Sequence, residues 1–151
     1  MSEVGRITFN GLYRHALDDK RRIQVPAKWR PTEPGTELTV AVWQKHKEGP
    51  CLRVLPPEKQ ASLLRSIEAM PNDHPAKSSL KRLIGEMSVQ VTLDSAGRIC
   101  LPEEMVKAAG IMKETVLAGV LDAFEIWEPA RHERVRQADA VNAMDAFKYM
   151  E

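Results

Sequence analysis

Two acid–base pairs at matched spacing are the residues of this 151-residue chain best suited to chemistry. Asp18 precedes Arg22 by four positions, and Asp94 precedes Arg98 by four positions. A guanidinium group in a turn can bridge two phosphate oxygens or reach O6 and N7 of guanine in the major groove of DNA. Each pair can equally be a plain hairpin turn, in which the aspartate caps the turn and pairs with the arginine. Both interpretations stay open on these residues alone.

Positive charge is concentrated around the first of these pairs. The segment 14–30 has six cations against two aspartates, a local net charge of +4, whereas the segment 94–107 has a net charge of −1. The first segment is therefore better suited to meet phosphate, although a solvated turn also explains its charge. The net charge of the whole chain is only +1, which excludes a globally basic, nonspecific nucleic-acid binder. The six cations are Arg14, Lys20, Arg21, Arg22, Lys28 and Arg30.

Catalytic and metal-binding patterns are not found. No spacing of the four histidines with Cys51 or Cys100 resembles a zinc site. The segment 94–98 lacks the Gly-Lys-Ser/Thr of a P-loop. A cysteine–histidine nucleophile is conceivable but unsupported, because both cysteines fall in apolar strand patterns, which predicts small buried side chains. We predict no enzyme, no catalytic residues, no cofactor, no metal and no small-molecule substrate.

The cellular location is predicted from what the sequence lacks. Residues 1–10 have neither the apolar core nor the cleavage site of a signal peptide. No apolar run approaches the roughly 20 residues that span a bilayer. Two cysteines are too few for a disulfide scaffold, although a single cross-link between them stays open. These features predict a cytoplasmic protein without a membrane partner.

The chain contains an internal repeat. Residues 17–26 and 93–102 share Leu, Asp, Arg, Ile and Pro at five of ten positions, with a constant offset of 76. Residues 51–57 and 123–129 match again at an offset of 72, and the change in offset falls in a connection, where length changes cost least. The chain therefore holds two related units.

The sequence of each unit predicts the same order of secondary-structure elements. An alternating strand, a tight polar turn and a second short strand lead to a short helix, which Pro102 begins and Gly110 ends in the second unit. Cys51 and Cys100 fall in such strands, and a β-rich pair completes each unit. Helices follow, with Leu63, Leu64, Ile67 and Met70 on one apolar side, a break at 71–75, and Leu80, Leu83, Ile84 and Met87 beyond it. The thinly apolar tail is predicted as a peripheral helix, a subunit contact or a frayed end.

These elements predict a β-rich α+β fold with a pseudo-two-fold duplication. The expected divisions are a first unit at 8–57, linking helices at 58–87, a second unit at 88–129 and a C-terminal helix at 130–151.

Several motifs together resemble the MraZ family over nearly the whole chain. They are Phe9-Asn-Gly11, the segment 17–22, Val25-Pro26, and the segments 51–56, 93–98, 109–111 and 124–127. The resemblance implies two tandem AbrB-like swapped-hairpin units, a ring-like homo-oligomer, and binding to short direct repeats in double-stranded promoter DNA. It also implies a nucleoid-associated transcriptional regulator, usually a repressor, of a cell-division and cell-wall gene cluster that includes its own gene.

The resemblance also implies roles for individual residues. Arg22, with Lys20 and Arg21 beside it, is expected to contact DNA, and Arg14 and Arg98 are secondary candidates. The residues expected to order the turns are Asp18, Asp94 and Gly97.

One departure from the family pattern concerns the first turn. The family usually has glycine where this chain has Arg21, whereas Gly97 is kept in the second turn. A side chain at that position costs about 1 kcal/mol if φ is positive, and it adds a donor toward DNA. The competing hypothesis is an oligomeric protein-interaction module, antitoxin-like or scaffold-like, that does not bind DNA.

Overall fold

A six-stranded antiparallel sheet and a two-stranded ribbon form the β structure of the computed structural model, which describes residues 6–150. The sheet has the order β1-β7-β8-β4-β3-β5, and β2 and β6 form the ribbon. The prediction that residues 1–10 form no signal peptide falls partly on residues 1–5, which lie outside the described residues, as does residue 151. The strands are β1 Leu12–Ala16, β2 Arg22–Gln24, β3 Leu38–Trp43, β4 Cys51–Leu55, β5 Ser88–Val91, β6 Arg98–Cys100, β7 Glu114–Gly119 and β8 Phe124–Trp127.

Strands from the two halves of the chain are exchanged. Strand β1 of the first half pairs with β7 of the second, and β5 of the second half pairs with β3 of the first. In the ribbon, Ile23 lies opposite Ile99, the residue 76 positions later, so the two repeats meet about an approximate two-fold axis. The prediction of a β-rich α+β fold is confirmed, while the unit boundaries remain a prediction.

Five α-helices and two short 3-10 segments complete the described chain. Pro57, Pro75 and Pro129 each occupy the first turn of a helix, where a missing N–H costs nothing. Pro102 instead caps its helix from outside, with extended backbone angles. The helices are α1 Pro57–Glu68, α2 Pro75–Glu86, α3 Glu103–Ala108, α4 Pro129–Val141 and α5 Ala143–Phe147, and the 3-10 segments are Ala27–Trp29 and Lys148–Met150.

The helices differ from the predicted pattern in one respect. Ile67 is buried on the predicted apolar side of α1, but Leu64 is exposed there, and Leu83 is exposed on α2. None of the helices in the described part of the chain is both long and apolar enough to cross a membrane.

The main core lies beneath the ribbon. Four side chains in the ribbon and just after its strands are fully buried, and the rings of Trp29 and Phe124 stack below them at 4.9 Å. The indole N–H of Trp29 donates to the carbonyl of Asn10 at 3.1 Å. This core anchors the inner face of the ribbon and leaves its outer face to solvent. The four buried side chains are Ile23, Val25, Ile99 and Leu101.

The opposite face of the large sheet carries a buried ion pair. Arg53 lies 2.6 Å from the carboxylate of Glu125, which also accepts a hydrogen bond from the indole N–H of Trp127 at 3.0 Å. The guanidinium of Arg53 lies over the ring of Trp43 at 4.5 Å. Cys51 is buried beside this cluster, and burial raises the pKa of its thiol far above the ordinary value.

The prediction for the second cysteine was wrong. Cys100 is exposed, because Ile99 takes the inward position of this three-residue strand and its neighbours must point outward.

Candidate nucleic-acid interface

The first turn is held by the carboxylate of Asp18. Its Oδ1 atom accepts hydrogen bonds from the backbone N–H groups of Lys20 at 2.9 Å and Arg22 at 2.8 Å. Its Oδ2 atom accepts from Nε of Arg22 at 2.6 Å. Because the bond to the carboxylate uses Nε, the terminal amino groups of Arg22 keep their hydrogen-bonding capacity for a further ligand.

The second turn repeats this geometry. Asp94 accepts from the backbone N–H groups of Ala96 and Arg98, both at 2.9 Å, and from Nε of Arg98 at 3.0 Å. Backbone hydrogen bonds, from Arg22 to Asp18 and from Arg98 to Asp94, are the largest cause that lowers the pKa of each aspartate below its ordinary value. Both carboxylates are therefore ionised at neutral pH and hold their arginines as charged partners.

The outer face of the ribbon brings the two turns together. Arg22 lies opposite Cys100 and Gln24 opposite Arg98, so all four side chains lie on the side away from the buried isoleucines. Two reciprocal contacts cross the ribbon: Gln24 donates to the carbonyl of Ala96 at 2.8 Å, and Sγ of Cys100 lies 3.4 Å from the carbonyl of Lys20.

An ion pair also crosses between the turns. A terminal nitrogen of Arg98 lies 3.7 Å from Asp18, in addition to the bond that Arg98 makes with Asp94. Asp18 thus faces both motif arginines. Arg98 is consequently held by two carboxylates.

Arg21 has a backbone conformation that side chains rarely adopt. Its φ is +59°, matching the +80° of Gly97 at the equivalent position. Nε of Arg21 donates to the carbonyl of Leu101 at 3.0 Å. The structure therefore engages one nitrogen of Arg21 within the protein.

The equivalent carbonyl in the first unit is bound by a different arginine. Nε of Arg30 donates to the carbonyl of Val25 at 2.9 Å, and its guanidinium occupies the space beside Gly97 where a Cβ would otherwise lie. The residue 76 positions after Arg30 is Val106, which has no donor to offer. Arg21 thus binds the carbonyl of Leu101 in the same way as Arg30 binds the carbonyl of Val25. Sequence reasoning counted Arg30 in the basic segment without giving it this role, and it missed Gln24; the contrast of Arg30 with Val106 was the available signal.

The other two predicted contact residues lie in different surroundings. Lys20 is exposed in the first turn. Arg14 lies in β1 of the large sheet, exposed and opposite Val116. Burial and Arg136 lower the pKa of His132, and Arg14 adds to this effect, which places Arg14 toward α4. The structure therefore groups Lys20 with the ribbon face and sets Arg14 in the sheet.

Within residues 6–150, no three His, Cys, Asp or Glu side chains lie close enough together to hold a metal ion.

Comparison with known proteins identifies the family. A sequence model described as "MraZ protein, putative antitoxin-like" matches residues 86–150. A protein of Acidithiobacillus ferrooxidans named Transcriptional regulator MraZ is 35% identical over 127 residues, which cover 82% of this chain and 84% of the relative. The chain belongs to the MraZ family.

Further MraZ relatives agree in length and name. The Transcriptional regulator MraZ of Roseiflexus sp. is 30% identical over 135 residues, covering 89% of this chain and 91% of the relative. That of Burkholderia cenocepacia is 33% identical over 141 residues, covering 93% and 96%. The expected resemblance is confirmed. Membership in the MraZ family makes this chain a transcriptional regulator, which is not a class of enzyme.

Proposed function

We propose that this protein is a sequence-specific DNA-binding repressor that acts as a ring-like homo-oligomer on short direct repeats in promoter DNA. Its target would be a cell-division and cell-wall gene cluster that includes its own gene. The observation that carries the proposal is the outer face of the ribbon, where both motif arginines lie on one exposed surface. Each is held through Nε by an ionised aspartate.

Arg22 is the principal DNA contact in this proposal. Its guanidinium is oriented by Asp18 before DNA arrives, so less side-chain freedom is lost on binding. Lys20 adds an exposed charge beside it, and Arg21 adds charge while its Nε holds Leu101. Arg98 and Arg14 are secondary contacts. The proposed role of Asp18, Asp94 and Gly97 is to shape the turns.

Repetition of this face in a ring supplies the affinity that one copy lacks. A few phosphate contacts bind weakly at physiological salt. Several engaged subunits raise the affinity through effective concentration. The DNA repeats would then recur about one helical turn apart, so that neighbouring subunits meet the same side of the duplex. Such a protein works in the cytoplasm, associated with the nucleoid.

The test is fluorescence anisotropy with duplex DNA from upstream of the protein's own gene, against a scrambled duplex, at two salt concentrations. Tight, salt-sensitive binding to the native duplex alone, weakened by about tenfold in Arg22→Ala, is the expected result. Arg65→Ala is the matched control, because Arg65 is an exposed arginine on α1 that forms no ion pair within residues 6–150. Equal or absent binding to both duplexes would favour the protein-interaction module instead.

A further inference from the structure

The C-terminal end of the chain exposes an apolar surface that its own fold does not cover. We define residues 141–150 as the C-terminal arm. Helix α4 is buried only at Val135, six residues before the arm begins. The short α5 and the 3-10 segment after it bury no residue. Five large apolar side chains of the arm are 72–85% exposed, namely Val141, Met144, Phe147, Tyr149 and Met150.

Such an arm requires a partner surface. Helices shorter than about 12 residues are marginal in water without tertiary contacts. A cluster of exposed apolar side chains at one end of a chain marks an interaction surface.

A second uncovered apolar surface lies on α2. Leu83 is 53% exposed although its spacing predicts an apolar side, and Met87, partly buried against the main core, lies one turn beyond it. Between α2 and the end of β3 there is an open groove of about 390 Å³. We call this the α2 groove; it is lined by Gln44, Ser79, Arg82, Leu83, Glu86 and Met87.

The charges that flank the two surfaces are complementary. Arg82 and Glu86 stand four residues apart on α2, and neither forms an ion pair with another described residue. In the arm, Asp145 of α5 and Lys148 of the following 3-10 segment stand three residues apart, and among the described residues they pair with each other at 3.2 Å. Their side chains are 80% and 72% exposed, so exchanging this pair for new partners costs little.

The spacing of these charges sets one direction of docking. Four residues of α2 rise about 6 Å and three residues of the arm about 4.5 Å, so both charges can be matched together. With the two helices running in the same direction, Asp145 meets Arg82 and Lys148 meets Glu86. Met144 and Phe147 then lie over Leu83 in the α2 groove.

We propose that the C-terminal arm of one copy docks in the α2 groove of the next copy, parallel to α2. Donor and acceptor are different surfaces of one chain, so repeating this contact head-to-tail builds a closed ring or an open fibre. This inference rests on the homo-oligomer of the proposed function and names the contact that forms it.

The test is the mass of the full chain in light scattering for charge-reversal variants. One variant reverses the groove (Arg82→Glu with Glu86→Arg), another reverses the arm (Asp145→Lys with Lys148→Asp), and a third combines all four changes. Each reversal alone places like charges together and should raise the dissociation constant at least about tenfold. The combined variant should restore the wild-type mass.

A mixing experiment tests the pairing of arm with groove. In an equal mixture of the groove variant and the arm variant, each arm finds a groove of opposite charge only on the other variant, so the mixture should reassemble into oligomers in which the two variants alternate, although each variant alone is dissociated. The matched control is Glu103→Lys with Lys107→Glu, which reverses an exposed pair on α3 and should leave the mass unchanged. Circular dichroism and urea midpoints check that every variant is folded.

Two results would overturn the arm contact: both single reversals keep the wild-type mass, or the combined variant stays dissociated. A monomeric wild-type protein would overturn it together with the ring. DNA binding separates the two proposals. If the reversals dissociate the oligomer but the wild type shows no sequence preference, the DNA proposal fails and the arm contact stands.

Discussion

Arg21 and Gly97 occupy equivalent positions 76 residues apart, and both have a left-handed backbone. A non-glycine residue in this conformation costs about 1–2 kcal/mol. The hydrogen bond from Arg21 to the carbonyl of Leu101 opposes that cost, since its donor is charged and partly buried. The replacement of glycine by arginine in the first turn is therefore compatible with the same turn geometry.

The two motif arginines should differ in their effect on DNA binding. Arg22→Ala is expected to weaken binding to the native duplex by about tenfold, and Arg98→Ala by less. Arg22 has basic neighbours, whereas Arg98 is held by two carboxylates, Asp94 and Asp18. Anisotropy titrations at two salt concentrations measure the difference. Equal losses would show that the two turns share the contact and that local charge does not decide it.

Substitutions of Arg21 should separate backbone strain from the hydrogen bond. Arg21→Ala loses the bond to Leu101 and keeps the strained φ, so the free energy of unfolding should fall by about 1–3 kcal/mol. Arg21→Gly loses the same bond but relieves the strain, and it should be the more stable of the two variants. Urea unfolding measures both, with Lys20→Ala as an exposed control. A less stable glycine variant would contradict the role given to strain.

Gly97 and Arg30 should be energetically coupled. A Cβ at residue 97 collides with the guanidinium of Arg30, which must then leave the carbonyl of Val25. Gly97→Ala should therefore lower the free energy of unfolding by about 2 kcal/mol, including the cost of its positive φ. In a double-mutant cycle with Arg30→Ala, the combined loss should be smaller than the sum. Additivity within about 0.5 kcal/mol would show that the two residues act independently.

Breaking the ion pair between Arg53 and Glu125 should lower the free energy of unfolding more than replacing both residues with apolar ones. Within residues 6–150, Arg53→Met leaves the buried carboxylate of Glu125 with the indole of Trp127 as its remaining side-chain donor, and the free energy of unfolding should fall by about 3–5 kcal/mol. Changing both residues, with Glu125→Leu added, removes the unpaired charge and should cost less than the single change. Urea midpoints of the two variants decide the order, and a double variant that is the less stable would refute it.

Acid should weaken the two turns. Hydrogen bonds from the backbone N–H groups, of Arg22 to Asp18 and of Arg98 to Asp94, lower the pKa of each aspartate. Because each aspartate has a lower pKa in the folded state than in the unfolded state, its ionised form stabilises the fold. This stabilisation is complete above the ordinary aspartate pKa of about 3.9, and it is lost as the pH falls below that value. Unfolding measured from pH 5 to pH 2 should show this loss. The Asp18→Asn, Asp94→Asn double variant should have a shallower acid limb, and an unchanged limb would assign the loss to other carboxylates.

The sequence by itself determined the features that depend on local chemistry and on repetition. The offset of 76 between the two repeats revealed the duplication, and the predicted break at 71–75 separates α1 from α2 in the structure. The left-handed turn position was also readable, because Gly97 occupies it in one repeat. These features are local, since they follow from the conformations that a residue and its near neighbours allow.

Only the tertiary structure decided which strands pair and which side chains face solvent. The pairing of β1 with β7 joins residues about 100 positions apart, and it follows from burying the whole core at once. In the three-residue β6, the alternation of side chains does not by itself decide which of the two faces is buried. Burial of Ile99 against Ile23 decides that Cys100 points to solvent. The bond from Arg21 to Leu101 exists only because the exchanged halves bring residues 80 positions apart into contact.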